Sequence, residues 1–296
     1  MSKWKRSGLQ NRHARVRFPL RPPKRQMNKK LATTVISLLL LFFVGSSVLS
    51  QNLSSEKAYS DYQFSQQVYS NSSADFEAAR DFYLKNETLT LKEDARKKLL
   101  KMLRDRDQLE LVYITALRTK IVESKGIDDG NKNSIFGLID SEVAWYKDHQ
   151  LNYKDGDPLE DLFNKSKESE SRYKTDTLPI IYESLFLISL GDQVSIRVDN
   201  EAEYQGLKTL VANGVANGKL DMNPFNRWFS DIESVINILK TNEDKAKKQV
   251  SAIHSESYSP SSTYNSSIST LEDSVVPLSQ LNNFLIEVLT SIRNQQ

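Results

Sequence analysis

Cysteine is absent from this chain of 296 residues. The absence excludes disulfide bonds, thiol catalysis, cysteine-ligated metal sites and attachment of a lipid to a cysteine. An exported chain of this kind must be stabilised by core burial alone, whereas small domains of eukaryotic secretory proteins tend to be cross-linked by disulfides. If the protein is exported, its composition therefore favours a bacterial cell envelope.

Glycine and proline are scarce, at ten and eight residues respectively, and three of the prolines lie within the first 30 positions. Both residues disfavour the interior of a helix, so their scarcity is typical of long helices. Few segments alternate polar and apolar residues as strands do, and the best of them, residues 194–198, is too short to build a sheet. The sequence therefore predicts an all-α protein.

Acidic residues are missing from the beginning of the chain, where Glu56 is the first. Residues 1–30, the basic head, carry eleven Lys/Arg, and residues 31–49 then form an uncharged, largely apolar run of nineteen. A helix that spans a bilayer needs roughly 17 to 25 mostly apolar residues, so we expect a transmembrane signal-anchor at 31–49. The apolar positions that carry this prediction are Leu31, Val35, Leu38, Leu41, Phe42, Phe43, Val44 and Leu49.

Lys and Arg beside a span keep that end of it in the cytoplasm. The basic residues nearest the run are Arg21, Lys24, Arg25, Lys29 and Lys30. We therefore expect a single-pass protein of the plasma membrane with a cytoplasmic N-terminus and an extracytoplasmic C-terminus. The alternative is a signal peptide that is cleaved near Ser50 and releases a secreted protein. We expect no later segment to span, because the most apolar one, residues 178–190, is only thirteen residues long.

Beyond the basic head the chain is acidic, with 29 Lys/Arg against 38 Asp/Glu, or a net charge of −9. Nucleic acid is therefore not expected as a partner of the exported part, whereas the lipid bilayer and other envelope proteins are. We divide the chain into a disordered basic head (1–30), the span (31–49), a helical extracytoplasmic domain (51–254), a flexible Ser/Tyr-rich linker (255–270) and an amphipathic C-terminal helix (271–296).

Apolar residues recur every three or four positions through most of the exported part, as they do on helical faces. We predict a helix that breaks near residues 71–73, followed by a helix over 91–125 that Thr90 caps. A helix of that length extends about 50 Å, which favours an elongated helical bundle. Residues 178–190 are apolar nearly all round and are expected to be the buried central helix, with Gly191 at its end. The C-terminal helix must dock either on its own bundle or on a partner helix.

Motifs for catalysis and metal binding fail on residue type or spacing. His13, His149 and His254 have no second ligand at metal-binding spacing, residues 214–219 are one position short of a phosphate-binding loop, and no G-x-S-x-G occurs. We therefore predict no catalytic, cofactor or metal-binding residue and no enzymatic activity. The leading hypothesis is a non-enzymatic interaction or scaffold module of the envelope. The alternatives are a binding module for a small ligand or cell-wall polymer, in a cleft beside 178–190, and a carboxylate-dependent hydrolase.

Two features carry competing interpretations. Tyr59, Tyr62, Tyr69 and Tyr83 share one helical face, which is either an interaction surface or a part of the bundle core. Residues 104–107, with the sequence Arg-Asp-Arg-Asp, interrupt an apolar stripe. They form either a polar pocket or ion-pair layer inside the bundle, or a solvated face at which the stripe drifts around the helix.

Overall fold

The computed structural model describes residues 54–255 and 259–295, and all regular structure in these ranges is helical. The prediction of an all-α protein is therefore confirmed for this part of the chain. The basic head, residues 31–49 and Ser50 lie outside the described residues. The helices are α1 (Ser55–Asn86), α2 (Leu89–Glu123), α3 (Asp129–Asn152), α4 (Leu159–Arg172), a π-helical turn (Tyr173–Thr177), α5 (Leu178–Ala216), α6 (Asn223–Val250), α7 (Pro260–Glu272) and α8 (Val275–Gln295).

Side-chain caps decide where the first helices begin. The hydroxyl of Ser54 accepts a hydrogen bond from the backbone N–H of Lys57, and the carboxylate of Asp128 accepts one from Asn131 at 2.9 Å. The cap of α2 is Thr88, whose side chain accepts from the N–H of Leu91, so the prediction of Thr90 as the cap was wrong by two residues. Thr88 takes this role because its backbone is extended, as an N-cap requires.

Helices α1 and α2 pack against each other as a hairpin whose turn contains Glu87 in the left-handed conformation. Glu123 near the end of α2 accepts hydrogen bonds from the backbone N–H of Ser55 at 2.7 Å and from its hydroxyl at 2.5 Å. The break predicted at residues 71–73 is wrong, because α1 continues through them. Ser72 and Ser73 are buried, and Ser72 donates its hydroxyl proton to the carbonyl of Tyr69 at 3.0 Å. The hydroxyl of Ser72 is therefore satisfied inside the helix, and the small size of both side chains suits close packing.

The 39-residue α5 is the longest described helix and links the two halves of the described chain. Residues 178–190 are largely buried, as predicted, but Gly191 lies inside the helix instead of ending it. A Cβ atom at Gly191 would lie 2.3 Å from the hydroxyl oxygen of Ser124 and 2.6 Å from a side-chain carbon of Ile127. Glycine is therefore required here because the α2–α3 loop packs directly on α5. Residues 200–213 are the continuation of α5.

The C-terminal half is built around an apolar core formed by the second half of α5 together with α6 and α8. Its buried side chains are Tyr204, Val211, Leu220, Phe225, Phe229, Ile232, Val235, Ile236, Leu239, Leu281, Leu285, Val288 and Ile292. The last four lie on α8 at alternating steps of four and three residues, so this helix docks on its own bundle.

The flexible linker predicted over 255–270 is corrected by the structure, because Pro260–Glu272 forms α7. Proline at the first helical position leaves no backbone donor unsatisfied. The hydroxyl of Ser267 bonds the carbonyl of Thr263 at 2.9 Å, and that of Thr270 donates to the side chain of Gln249 on α6 at 2.8 Å. Small hydroxyl side chains are therefore buried against α6 and α5, a role that composition alone does not reveal.

One stretch of the described residues, Pro260–Gln295, is long and apolar enough to cross a membrane by length and composition alone. This finding differs from our expectation that no segment after residue 49 meets that test. In the structure 22% of its most apolar window is buried, including the α8 side chains of the C-terminal core.

Candidate functional site

Charged and polar side chains meet inside the first four helices. Six of them, from α2, α3 and α4, are each at most 7% exposed. We call them the polar layer: Arg106, Asp107, Glu110, His149, Ser166 and Ser169.

The spacing along α2 explains why charged residues enter the interior. Leu103, Arg106 and Glu110 follow one another at steps of three and four, so they share the buried face of the helix. Arg104 and Asp105 point outward and are only half-buried. Of the two interpretations of residues 104–107, the ion-pair layer inside the bundle therefore holds for Arg106 and Asp107.

Asp107 is the centre of the polar layer and is fully buried. Its carboxylate accepts a hydrogen bond from the hydroxyl of Ser169 at 2.9 Å and lies 2.5 Å from Nδ1 of His149. Arg106 supplies the compensating charge, with its Nε 3.5 Å from the carboxylate, and donates to the hydroxyl of Ser166 at 3.1 Å. Three helices thus converge on one buried carboxylate, and its charge is matched by donors from each of them.

His149 uses one ring nitrogen for this contact. With Asp107 ionised, Nδ1 carries the proton and donates it, which leaves Nε2 as a bare acceptor. Nε2 is buried and has no hydrogen-bond partner within the described ranges. The imidazole stacks on Trp145, with ring centroids 4.6 Å apart and planes inclined by 12°, and meets the ring of Tyr153 edge-on at 5.0 Å. These two rings enclose the imidazole.

Glu110 lies one turn from Asp107 and is 4% exposed. Burial raises the pKa of its carboxyl to about 8, with Arg106 opposing this shift and Asp107 adding to it. Glu110 is therefore protonated at neutral pH, which avoids an unbalanced negative charge beside the Arg106–Asp107 pair. Burial also raises the pKa of the phenols of Tyr113 and Tyr146.

A second buried cluster joins α3 to the π-helical turn. Arg172 forms an ion pair with Glu142, and the hydroxyl of Thr177 donates to the other oxygen of this carboxylate at 2.8 Å. Because the single hydroxyl proton of Thr177 is used there, the hydroxyl of Tyr146, 3.0 Å away, donates to Thr177. The π-helical turn places Thr177 in reach of both side chains.

A surface groove with a volume of about 650 Å³ lies between α2 and the α3–α4 turn. Its lining residues are Arg104, Asp105, Gln108, Gln150, Leu151, Tyr153, Lys154 and Asp155. The guanidinium of Arg104 is 3.1 Å from the carboxylate of Asp155 and donates to the carbonyl of Tyr153 at 2.6 Å. The groove therefore presents paired charges and amides. None of its lining residues belongs to 178–190, the place at which a ligand cleft was expected.

The four predicted tyrosines lie along α1. Tyr69 is buried and the other three, Tyr59, Tyr62 and Tyr83, are half-buried. The ring of Tyr62 lies 4.9 Å from that of Tyr113 on α2, so part of this face is used inside the hairpin. The residues predicted for the span and for topology lie outside the described part. Within that part, no group of three or more metal-ligating side chains is found.

Sequence reasoning missed the pairing of His149 with Asp107, because the two residues are 42 positions apart. One signal was available. On α3, Ile135, Ile139, Glu142, Tyr146 and His149 are the buried residues, and they follow one another at steps of four and three. A polar residue that occupies such a position is directed into the core and must find a partner there. The spacing could have identified both polar residues as buried, although not their partners.

An Asp–His pair can orient an imidazole as a general base. Here the imidazole is 3% exposed and enclosed by Trp145 and Tyr153, so in this conformation the pair ties helices together rather than facing a substrate. Compared with known proteins, the chain matches no family model, no curated protein and no solved structure.

Proposed function

We propose that the protein is a single-pass, membrane-anchored module of a bacterial cell envelope whose elongated helical bundle binds other envelope proteins and has no catalytic role. The observation that carries the proposal is the basic head of eleven Lys/Arg directly before the uncharged run at 31–49. Such a charge asymmetry retains the N-terminus in the cytoplasm and exports the chain beyond the span. The absence of cysteine agrees with this compartment.

The chemistry of the described helices supports a binding role. Buried charged groups are engaged with one another in the polar layer and in the Arg197–Glu243 pair, and the buried Glu142 pairs with the half-buried Arg172. Large apolar side chains are exposed on the α1–α2 hairpin, where Phe82 and Leu89 are 62% and 82% exposed on either side of its turn. Exposed aromatic and aliphatic side chains that lie together are typical of protein-binding surfaces.

The absence of cysteine makes a direct test of topology possible. Single cysteines are introduced as Ser7→Cys in the head and as Asn283→Cys at an exposed position of α8. In intact cells a membrane-impermeant maleimide should label the second variant and should label the first only after lysis. The intact mass of C-terminally tagged protein then separates the two export hypotheses. A full-length membrane species indicates an anchor, and a species lacking the first 50 residues indicates secretion.

The binding role has a separate test. Phe82→Ser together with Leu89→Ser should reduce crosslinking of the full-length protein to envelope proteins in living cells severalfold. The matched control is Leu210→Ser, at a position on α5 that is 56% exposed. Equal crosslinking by the two variants would count against the hairpin as the binding surface.

The groove beside Arg104 favours a second candidate, a binding module for a small polar ligand or a cell-wall polymer. Its paired charges and the amides of Gln108 and Gln150 offer hydrogen-bond donors and acceptors in a concave surface. A thermal-shift screen with soluble cell-wall fragments tests this candidate. A shift that Gln108→Ala removes would support it, and no shift across the panel would exclude those ligands.

A further inference from the structure

The two ring nitrogens of His149 differ in whether they have a hydrogen-bond partner. Nδ1 donates to Asp107, whereas Nε2 is buried without a hydrogen-bond partner among the described residues. A bare acceptor of this kind is tolerated more easily than an N–H donor that finds no acceptor. The neutral form of the imidazole therefore fits the site, and the protonated form adds a buried donor without an acceptor.

The charges around His149 also favour the neutral form of its imidazole. On α2, Arg106 and Asp107 balance each other, and Glu110 is neutral near pH 7 because burial raises its pKa to about 8. Tyr146 on α3 and Tyr153 directly after it are neutral phenols, because burial raises the pKa of both, and α4 contributes the hydroxyls of Ser166 and Ser169. The layer thus carries no net charge while His149 is neutral. One added proton gives a net positive charge in the interior of the bundle.

We propose that this layer is an acid-sensitive element, in which protonation of His149 loosens the packing of α3 against α2 and α4. The position of His149 explains why its protonation would affect several helices at once. His149 holds α3 to Asp107, and Asp107 also binds Ser169 on α4, so a change at one ring nitrogen acts on three helices. Histidine is the side chain that ordinarily titrates between pH 5 and 8, the range in which an external medium varies.

The stacked indole of Trp145 offers a local readout, because a protonated imidazole in contact with an indole quenches its fluorescence. The chain has three tryptophans, Trp4, Trp145 and Trp228, so Trp145→Phe identifies the signal from this site. The full-length protein in detergent micelles is titrated from about pH 7.5 to about pH 4.5. We expect a loss of the Trp145 emission. In Glu110→Gln, which removes the opposing pH dependence of the Glu110 carboxyl, we also expect a fall of the thermal unfolding midpoint by about 3 °C or more.

Two histidine variants distinguish this site from the rest of the chain. In His149→Asn, made together with Glu110→Gln, the amide can still donate to Asp107 but does not titrate, so the pH response of both signals should be lost. His254→Asn is the matched control. His254 is 43% exposed in its side chain and contacts Glu183 at 2.7 Å, away from Trp145, so this variant should keep the wild-type pH response of the Trp145 emission.

Equal pH profiles in the wild type and His149→Asn would overturn the proposal. If that variant does not fold, the Cε1–H resonance of His149 in the wild-type protein, assigned with the help of His254→Asn, decides the question. A resonance that does not move over this pH range, or that moves while the unfolding midpoint of Glu110→Gln stays constant, also overturns it. The measurement does not depend on the membrane topology, so failure of the acid response and failure of the proposed function are distinguishable.

Discussion

The first four helices and the C-terminal three-helix core bury different chemistry. In the former, Arg106, Asp107 and His149 are packed among aromatic and aliphatic side chains. In the latter, thirteen apolar or aromatic side chains form one cluster, and the buried ion pair Arg197–Glu243 joins α5 to α6 one turn beyond Leu239. Both regions are helical and both follow the same spacing of buried residues.

The two regions differ in how specifically their buried side chains define the packing of the helices. An apolar side chain gains from burial against almost any apolar neighbour, so the C-terminal core tolerates alternatives of similar volume. A buried carboxylate is stable only with its own donors at hydrogen-bond distance. Asp107 therefore defines the register of α3 and α4 on α2 more narrowly than Leu285 defines that of α8.

The largest expected effect comes from removing the central charge. Asp107→Asn leaves the buried guanidinium of Arg106 without its counter-charge and should lower the free energy of unfolding by about 3–5 kcal/mol. Urea unfolding of the full-length protein measures this change. The control Asp105→Asn affects a half-buried neighbour that pairs with Lys101, and it should cost about 1 kcal/mol or less. Similar losses in the two variants would contradict the view that burial decides the cost.

The matching test in the apolar core is Leu285→Ala. Leu285 is 4% exposed, and truncation of such a residue costs about 2–5 kcal/mol through lost burial and the cavity left behind. Because α8 carries no part of the polar layer, this loss should be independent of pH between about 5 and 8. Leu289→Ala, at a position that is 38% exposed, provides the control and should cost much less.

The contact between the α2–α3 loop and α5 should be sensitive to a single methyl group. A Cβ atom at Gly126 would lie 2.0 Å from the carbonyl oxygen of Gly191, so Gly126→Ala should destabilise the protein by about 1–3 kcal/mol. At Gly137, on the exposed side of α3, a Cβ atom meets nothing within 4 Å. Gly137→Ala should stabilise by up to about 1 kcal/mol. Thermal unfolding should show a lower midpoint for Gly126→Ala and a higher midpoint for Gly137→Ala than for the wild type.

The smallest effect at fixed pH is expected for Glu110→Gln. This substitution should mainly change how the free energy of unfolding depends on pH. The pKa of Glu110 is about 8 in the folded protein against an ordinary value of 4.5, so the folded state holds a proton that the unfolded state has lost between these values. Stability should therefore fall as the pH rises through this window, by at most about 1.4 kcal/mol per pH unit. Glutamine mimics the neutral acid and should flatten this slope. An unchanged slope in urea unfolding at several pH values would show that Glu110 is ionised in the fold.

Helical spacing predicted most of the helices and much of what they bury. It identified residues 178–190 as buried and the seam of α8 as apolar, because both depend only on positions three and four residues apart. It failed where a local signal was overruled by packing. Ser72 and Ser73 do not break α1, Gly191 does not end α5, and the Ser/Thr-rich residues of α7 form a helix. In each case small residues pack against a neighbouring helix or loop that the local sequence does not reveal.

The sequence by itself determined the all-α class of the described residues, most of the helical faces and the burial of 178–190, since these follow from composition and from contacts within a few residues. Tertiary structure alone decided that His149 meets Asp107, that Thr177 bridges Tyr146 and Glu142, and that Gly126 lies against Gly191. Such pairs join residues tens of positions apart, and only the packing of whole helices brings them within hydrogen-bond or van der Waals distance. The periodicity of one helix shows that a polar side chain points inward, and the neighbouring helices determine what it meets.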